Sequence, residues 1–430
     1  MRILFLAHNH PNLQPGGTEV FARALFRELR DGHGAEGLFL AGVTHALREP
    51  KPGTLLQAAG SASDEMLVWL DHFDRFFLSQ ADVYGLQAAL SPLVARLKPD
   101  VIHLHHPLMF GLETVDLLRR LAPRAAMVAT LHDYFAICPR EGQLLTAELR
   151  LCQGPSLDRC RRCFNDRPAQ DLALRDLAMR GAFRAFDRLL APSAFLRDRF
   201  MAAGWDSGRI EVMGNGIVEG PVAPNRSAPA GRRDRFAVFG NVSRFKGTLV
   251  ALRASARLSA GGVAHDLAVH GGAAYQSETF LGEFAAALSA APDAVHHGPY
   301  GYTDHAALIA DADWVVVPSI WFENAPLVIQ EAFHQRRPVI CGGIGGMAEM
   351  VRDGTDGLHV PRVNDPRALA ATMRRAIDEQ GLWDALVAGI RPPRSMTEAA
   401  RDHLALYARL LPAAPARAAR HVERKDAAHA

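Results

Sequence analysis

The sequence predicts an α/β protein with two domains, each built on its own parallel β-sheet. Strand-like apolar runs alternate with helical patterns through most of the chain, which is typical of parallel βαβ units. A segment rich in Pro, Ala and Arg interrupts this alternation at 219–235 and has the composition of an interdomain linker. The chain has 430 residues, 49% of them apolar, which is enough for two or three domains with sizeable cores.

The first domain is predicted to span residues 1–218. It begins with the apolar run RILFLA at 2–7, which Gly16, Gly17 and an amphipathic helix at 18–30 follow. Later buried strands are predicted from the apolar runs VIHLH at 101–105, AMVATLH at 126–132 and RLLAPS at 188–193. An insertion at 138–163 carries four cysteines and is predicted to be rich in loops.

The second domain is predicted to span residues 236–394. Its strands are expected in FAVFGNVS (236–243), DLAVHGG (266–272), WVVVPS (314–319) and PVICGG (338–343). A helix at 395–415 and an Ala/Arg-rich tail at 416–430 follow. Ligands of open α/β sheets bind at the carboxyl ends of the strands, and the polar residues considered below fall at those ends.

Charge and hydropathy exclude several classes of protein. Lys plus Arg number 48 and Asp plus Glu 46, so a net charge of +2 gives no argument for nucleic-acid binding. The apolar run after Arg2 is too short for the core of a signal peptide. The sequence has no apolar run of the roughly 18 residues that a membrane-spanning helix needs. We therefore expect a cytoplasmic protein, or one at the inner face of the membrane.

The most informative segment is VVVPSIWFENAPLVIQEAFHQRRPVICGGIGG, at 315–346. Its β-branched run predicts a strand that ends at Pro318, after which Glu323 lies in a loop and Glu331 on the following helix. Helix N-termini favour phosphate, and ionised carboxylates accept hydrogen bonds from hydroxyl groups. The segment is suited to a nucleotide-sugar, although a surface helix with two solvated glutamates has the same spacing.

Five other residues have the chemistry of a ligand site. Gly16 and Gly17 let the backbone approach a ligand closely at the start of the first helix, or form an ordinary flexible turn. His132 ends a predicted strand and could donate a hydrogen bond to a sugar hydroxyl, or it is one of 19 histidines with an ordinary local partner. Lys246 and Arg244 precede a predicted helix start, where cations suit a diphosphate, or they belong to a solvated basic turn.

The cysteine cluster predicts a structural zinc site. Cys138, Cys152, Cys160 and Cys163 lie within 26 residues of one another, and Cys160 and Cys163 form a Cys-x-x-Cys pair. In a reducing compartment such a cluster is more often a metal site than a set of disulfides. Free thiols in a loop-rich insertion are the alternative.

Two other patterns have a functional and a structural interpretation. Asp311 and Asp313 form a D-x-D pair like a metal motif, but they precede a predicted strand and are interpreted as structural. The helical run from Arg175 carries Arg180, Arg184 and Arg188 on one predicted face. That face is expected to be solvated, or to meet anionic lipid headgroups.

Taken together, the motifs resemble those of the family 4 glycosyltransferases of GT-B fold. The resemblance rests on PGGTE, LHDYFAICPR, APSAFL, VMGNGI, FGNVSRFKG, PSIWFENAPLVIQEA and GGIGGMAEMVRDGTDGL, which occur in the family's order. It implies two Rossmann-like domains that face a cleft, with a nucleoside-diphosphate sugar bound mainly by the second domain. It also implies sugar transfer with retention at the anomeric carbon, and a C-terminal helix that crosses back to the first domain.

The resemblance also assigns roles to individual residues of the second domain. Glu331 matches the glutamate that holds the ribose hydroxyls, and Glu323 matches the one near the donor sugar. Lys246 would neutralise the diphosphate leaving group. The distal phosphate would meet the backbone amides of Asn324, Ala325, Pro326 and Leu327.

In the first domain, His132 would contact the transferred sugar, and Gly16 and Gly17 would border the phosphates or the acceptor. One position departs from the family, because Asn241 stands where many members have an arginine. Arg244 is the candidate to replace that arginine as the second cation at the diphosphate.

The function expected from the sequence is a retaining transferase for a glycan or lipid-linked acceptor in polysaccharide or glycoconjugate biosynthesis, with no cofactor required for catalysis. A nucleotide-sugar epimerase, a phosphorylase-like enzyme or a non-catalytic nucleotide-sugar sensor on the same fold are the alternatives, because fold alone does not separate these classes.

Overall fold

The computed structural model describes residues 1–49, 51–224, 232–274, 276–301 and 304–411. These residues form two parallel sheets, one in each half of the chain, with helices between successive strands. The predicted fold class is confirmed. The predicted tail at 416–430, the end of the predicted helix at 395–415 and the middle of the predicted linker lie outside the described residues.

The first half of the chain contains the strands β1 (Arg2–Ala7), β2 (Glu36–Val43), β3 (Leu56–Ala58), β4 (Glu65–Trp69), β5 (Phe73–Asp74), β6 (Ser79–Gln80), β7 (Val101–Leu104), β8 (Ala126–Thr130), β9 (Arg188–Ala191) and β10 (Ile210–Val212). Its helices are α1 (Gly17–Arg27), α2 (Val83–Leu97), α3 (Leu112–Leu121), α4 (Leu157–Cys163), α5 (Ala169–Phe183) and α6 (Ala194–Ala202). The sheet order is β10-β9-β8-β7-β1-β2-β4-β3, parallel except at β3, and β5 pairs with β6 in a separate hairpin.

The second half contains β11 (Arg235–Phe239), β12 (Asp266–His270), β13 (Ala294–Gly298), β14 (Trp314–Val317), β15 (Val339–Gly342) and β16 (Gly357–Val360). Its helices are α7 (Thr248–Ala260), α8 (Glu278–Ser289), α9 (His305–Asp311), α10 (Leu327–His334), α11 (Gly345–Met350), α12 (Pro366–Asp378), α13 (Leu382–Gly389) and α14 (Met396–Leu410). All pairs in the sheet β13-β12-β11-β14-β15-β16 are parallel.

The central strands are buried on both faces, which explains their continuous apolar sequences. In β14 every residue from Trp314 to Val317 is buried, and in β1 every residue from Ile3 to Ala7 is. Parallel strands covered by helices on both sides need apolar side chains in both directions. The polar residues therefore begin where these strands end, and that edge of each sheet holds the site described below.

The last helix, α14, packs on the first domain. A capping box between Ser395 and Glu398 fixes its start. Ala399, Leu406 and Tyr407 are buried in the same core as β1 and α1. The chain thus ends its described part on the domain in which it began.

The arginine row on α5 does not form the face that the sequence predicts. The helix ends at Phe183, and Arg188 begins β9. Arg175 is buried and donates hydrogen bonds to the carbonyl oxygens of Phe76, Phe135 and Ala136. The prediction that Arg180, Arg184 and Arg188 share one helical face is therefore wrong, because the helix ends before Arg184 and Arg188 lies in a strand. Arg175, at the start of the run, uses its planar guanidinium to satisfy loop carbonyls in the interior.

Arg180 also serves the fold. It pairs with Asp176 and donates to the carbonyl oxygens of Ala203 and Gly204. Neither arginine is free for a headgroup, since both guanidinium groups already have protein partners.

The D-x-D pair is structural, as interpreted from the sequence. Asp313 is buried just before β14 and accepts from the backbone amide of Arg235 and from Arg233. Asp311 pairs with the side chain of Arg235 at 2.9 Å. These contacts join the amino-terminal ends of β11 and β14, the opposite edge of the sheet from the site.

Candidate functional site

A buried glutamate and a lysine form the centre of the site in the second domain. Glu323 follows β14 and is 5% exposed. Its Oε1 accepts hydrogen bonds from Lys246 Nζ at 2.8 Å, Ser319 Oγ at 2.6 Å and Trp321 Nε1 at 2.9 Å. Its Oε2 makes no hydrogen bond to a described residue. The carboxylate is thus held rigidly by one oxygen while the other can accept from a ligand.

Lys246 is positioned by a tight approach between two loops. It lies directly before Gly247, whose φ is +71° and which precedes α7. A Cβ atom on Gly247 would lie 1.8 Å from the carbonyl oxygen of Pro318, at the end of β14. Only glycine fits there, because both the dihedral angle and the contact exclude a side chain. This contact brings the lysine to Glu323.

The loop between Glu323 and α10 joins the two domains. Asn324 is buried, and its Nδ2 lies 3.3 Å from the carbonyl oxygens of both Leu131 and His132 in the first domain. Its Oδ1 accepts from Ser193 Oγ at 2.6 Å. The side chain of Asn324 is therefore committed to the other domain, which leaves its backbone amide for a ligand.

The helix N-terminus expected near a phosphate is present at α10. Pro326 is its N-cap residue and Leu327 its first residue. A proline has no N–H group, so Pro326 cannot donate as the resemblance implied, and the amides of Asn324, Ala325 and Leu327 remain as candidates. The first N–H groups of a helix have no partner within it and attract negative charge.

His132 follows β8 and lies in a group of histidines. Its Nε2 is 3.0 Å from Nδ1 of His105, which follows β7. Burial, with a further contribution from nearby His106, lowers the pKa of His132 to about 3, so the ring is neutral at physiological pH. The side chain can therefore act as a neutral hydrogen-bond donor or acceptor, but not as a cation.

Gly16 and Gly17 lie at the start of α1, on the first-domain side of the site. A Cβ atom on Gly17 would have Leu327 as its nearest neighbour, at 4.0 Å across the domain boundary. A Cβ atom on Gly16 would lie 2.5 Å from Oε2 of Glu19. Gly17 thus faces the N-terminus of α10, whereas Gly16 lies against Glu19 of its own helix.

Glu331 lies on α10 and has a partner that the sequence reading did not include. Its Oε2 is 3.2 Å from Nδ1 of His305, the first residue of α9. The ring of His305 stacks against Tyr300, with centroids 5.1 Å apart. These contacts orient the carboxylate while leaving it partly exposed.

Arg244 is engaged elsewhere. Its guanidinium donates to Glu283 on α8 at 2.7 Å, and Asn241 is exposed. Its proposed role as a second cation at the diphosphate would require Arg244 to leave Glu283.

Several residues of this site escaped the sequence analysis. Glu19 is buried and pairs with His8 at 2.8 Å, and Asp133 lies 3.1 Å from His106. The pairing with His8, against the effect of burial, lowers the pKa of Glu19. A signal was present, because His8 and His106 follow β1 and β7 just as His132 follows β8, and these strands are neighbours in the sheet. The rule applied to His132 would have found them.

The four cysteines of the insertion line a single cavity. Cys138, Cys152, Cys160 and Cys163 surround a volume of about 460 Å³, and none is in a disulfide. Burial raises the pKa of Cys138 to about 11. Among the described residues, no three His, Cys, Asp or Glu side chains are placed to hold a metal ion, so the geometry does not itself form the zinc site. The zinc site stays a prediction.

Comparisons with known proteins agree with this architecture. Residues 15–219 match the model of "Glycosyltransferase Family 4", and residues 233–379 match that of "Glycosyl transferases group 1". A D-inositol 3-phosphate glycosyltransferase from Salinispora arenicola is 32% identical over 229 residues, 48% of this chain and 50% of the relative. An α-D-kanosaminyltransferase from Streptomyces kanamyceticus is 29% identical over 102 residues, 23% of this chain and 26% of the relative. The chain thus matches half or less of these curated relatives.

Solved structures share the fold over nearly the whole chain. Sucrose-phosphate synthase from Thermosynechococcus elongatus has a TM-score of 0.70 at 16% identity, covering 95% of this chain and 99% of that one. Anabaena HepE in complex with UDP and glucose has a TM-score of 0.66 at 17% identity, covering 95% and 100%. At this identity the likeness establishes the fold, which is GT-B.

Two parallel-sheet domains joined at a site between the ends of their strands define the GT-B class of proteins. Within that class, the matched models together take in most of the chain, and both describe glycosyltransferases. The chain belongs to the family 4 glycosyltransferases, which are matched here together with the model of the group 1 glycosyl transferases.

Proposed function

We propose that this protein transfers a sugar from a nucleoside-diphosphate sugar to a glycan or lipid-linked acceptor, with retention at the anomeric carbon. The observation that carries the proposal is the pair of Lys246 and Glu323 beside the N-terminus of α10, joined through Asn324 to the His132 loop. A cation, backbone amides, a carboxylate and a neutral imidazole therefore lie at one domain boundary.

Each group has a role in the proposed reaction. Lys246 and the amides at the start of α10 stabilise the charge that develops on the departing diphosphate. Glu331 accepts hydrogen bonds from the ribose hydroxyls, and Glu323 uses Oε2 for the donor sugar. The protein thus supplies electrostatic stabilisation rather than a nucleophile.

Retention follows in this proposal from transfer on one face of the sugar. The departing phosphate oxygen takes the proton of the acceptor hydroxyl as the new glycosidic bond forms. His132, neutral at physiological pH, donates to a hydroxyl of the transferred sugar. The step needs no divalent metal, because Lys246 and the helix amides provide the positive charge.

The proposal also covers where the acceptor binds and where in the cell the protein acts. The first domain meets the acceptor beside Gly16 and Gly17, and Gly17 faces the first residue of α10. The pathway is polysaccharide or glycoconjugate synthesis in the cytoplasm, with peripheral contact at the inner membrane face where lipid-linked acceptors lie. Among the described residues, no helix is long and apolar enough to cross a bilayer.

A donor screen tests the proposal. Thermal shifts with UDP-, GDP- and ADP-sugars identify the donor, since a ligand at 100 times its Kd adds about 2.7 kcal/mol to stability. Turnover is then measured with candidate acceptors, and the anomeric configuration of the product is determined by NMR. A transferase releases nucleoside diphosphate only with acceptor present. Donor interconversion without release would indicate an epimerase, and binding without turnover a sensor. Either result would contradict the proposal.

A further inference from the structure

The hydrogen bond between His105 and His132 raises a question of proton placement. Nδ1 of His105 and Nε2 of His132 are 3.0 Å apart, so one ring must donate and the other accept. Burial lowers the pKa of His105 well below its usual range and that of His132 to about 3. Both rings are therefore neutral, and each carries a single N–H group.

The surroundings of His105 decide between the two arrangements. Its side chain is fully buried, stacked on Phe5 at 5.2 Å and adjacent to His103 at 4.1 Å between ring centroids. Its Nε2 has no hydrogen-bond partner among the described residues. If His132 donated, the proton of His105 would lie on this orphaned nitrogen. Buried N–H groups without a partner are rarer in proteins than acceptors without one.

The remaining arrangement is the one in which Nδ1 of His105 donates the hydrogen bond to Nε2 of His132. We propose that His105 is a positioning residue that donates its Nδ1–H to Nε2 of His132 and so fixes His132 as the tautomer protonated on Nδ1. His132 then presents an N–H donor to the cleft, since it is only partly buried and its Nδ1 makes no hydrogen bond to a described residue. The substrate group it recognises is a hydrogen-bond acceptor, such as a hydroxyl oxygen of the donor sugar. This assignment of the substrate group rests on the proposed function.

The rings behind His105 keep it in register. Nδ1 of His103 is 2.6 Å from the hydroxyl of Tyr407 on α14, and its Nε2 is 2.8 Å from Oγ1 of Thr130. Because both nitrogens of His103 have hydroxyl partners, His103 has no free nitrogen for the orphaned Nε2 of His105. The α14 helix thereby supports the imidazole stack from behind.

Three variants of His105 separate donation from packing. His105→Asn places an amide N–H near the position of Nδ1, His105→Gln places it near the position of Nε2, and His105→Phe keeps a ring without nitrogens. We expect His105→Asn to retain most of the turnover. His105→Gln and His105→Phe should lower kcat about tenfold, which is the effect of losing one hydrogen bond. The Kd of UDP should not change, since the second domain binds it. Equal losses in all three variants, or none, would overturn the inference.

A readout that does not need turnover tests the tautomer itself. ¹⁵N NMR of the histidine ring nitrogens, with His132 assigned by comparison with His132→Asn, should show its proton on Nδ1 in the wild-type protein. A proton on Nε2 would overturn the inference even if a variant fails to fold. If no nucleotide-sugar is turned over but the tautomer is as stated, the proposed function fails and the positioning inference stands.

Discussion

Glu323 and Lys246 act as one unit at the scale of single residues. The lysine balances the charge of a carboxylate that is almost completely buried, and two further donors hold the same oxygen. Removing either partner therefore disturbs the other, because an unpaired buried charge is costly. An assignment of separate energies to the two residues would be misleading, and their variants should be studied together.

We expect Lys246→Ala to lower kcat by about 10²–10³, the usual effect of removing one group that stabilises developing charge. The affinity for the donor, measured by calorimetry, should fall much less, because the charge of the leaving group grows towards the transition state. Lys51→Ala, at an exposed lysine outside the site, is the control. A higher KM with unchanged kcat would mean that the lysine only anchors the donor.

The low pKa of His132 predicts how both the stability of the protein and its turnover depend on pH. The folded protein binds a proton on this ring only near pH 3, whereas the unfolded chain binds it near 6.5. The neutral ring thus contributes to stability above pH 6.5, and the contribution is lost as the pH falls towards 3. Between about pH 5 and 8 the profile of kcat should show no break from His132. A break near 6.5 that is absent from His132→Asn would contradict this.

At the scale of elements, buried polar groups connect loops that are far apart in sequence. Arg175 on α5 ties the loop after β8 to the β5–β6 hairpin through three carbonyl oxygens. Burial lowers its pKa to about 10, so the guanidinium remains charged at neutral pH. The helix thereby supports the loop that begins at His132.

Arg175→Met should lower the stability of the protein by about 3 kcal/mol, because it leaves buried carbonyl oxygens without donors. The shift of the urea midpoint measures the effect. Arg184→Met changes an exposed arginine just after the same helix. It should change the free energy of unfolding by less than about 0.5 kcal/mol. Equal midpoints for the two variants would show that the buried contacts of Arg175 are not needed.

The zinc site of the cysteine insertion is a prediction at this scale too. The four thiols surround one cavity, but a bound ion would require their sulfur atoms to converge. Elemental analysis of protein purified without added metal should give about one equivalent of zinc. Less than about a tenth of an equivalent, with four titratable thiols in the native protein, would leave them as free thiols. The remaining cysteine, Cys341, is buried in β15 and serves as the internal control.

At the scale of the whole molecule, hydrogen bonds across the boundary hold the two domains together. Asn324 bonds to the loop after β8 and to Ser193, and Glu349 accepts from the backbone amides of Ala194 and Phe195 at the start of α6. Asn324 directly follows Glu323, so the contact that joins the domains also brings the backbone of His132 to the loop that carries Glu323. We therefore expect the arrangement of the two domains to affect turnover.

Asn324→Ala should loosen this arrangement. We expect a larger radius of gyration by small-angle X-ray scattering with UDP present. We also expect a lower kcat, since the loop that carries Glu323 loses its hydrogen bonds to the carbonyl oxygens of Leu131 and His132. The Kd of UDP should stay close to that of the wild type. Asn165→Ala, at an exposed turn, is the matched control. An unchanged radius together with unchanged kcat would show that Asn324 is not needed for closure.

The sequence by itself determined the fold class and the local positions of Glu323, Glu331 and Lys246. Continuous apolar runs that alternate with helical patterns specify parallel strands, because strands covered on both faces need apolar residues throughout. The strand that ends at Pro318 and the helix that starts after Pro326 are local features, so Glu323 and Glu331 could be placed from neighbouring residues alone. Lys246 could be placed in the same way, at a helix start.

The tertiary structure alone decided how the groups are paired. Asn324 and the His132 carbonyl are 192 residues apart in the chain, and His105 and His132 are 27 apart. No periodicity encodes such contacts, since they depend on which strands are neighbours and how the domains meet. The burial of Arg175 has the same origin, because the packing of α5 against two loops makes it an interior cation.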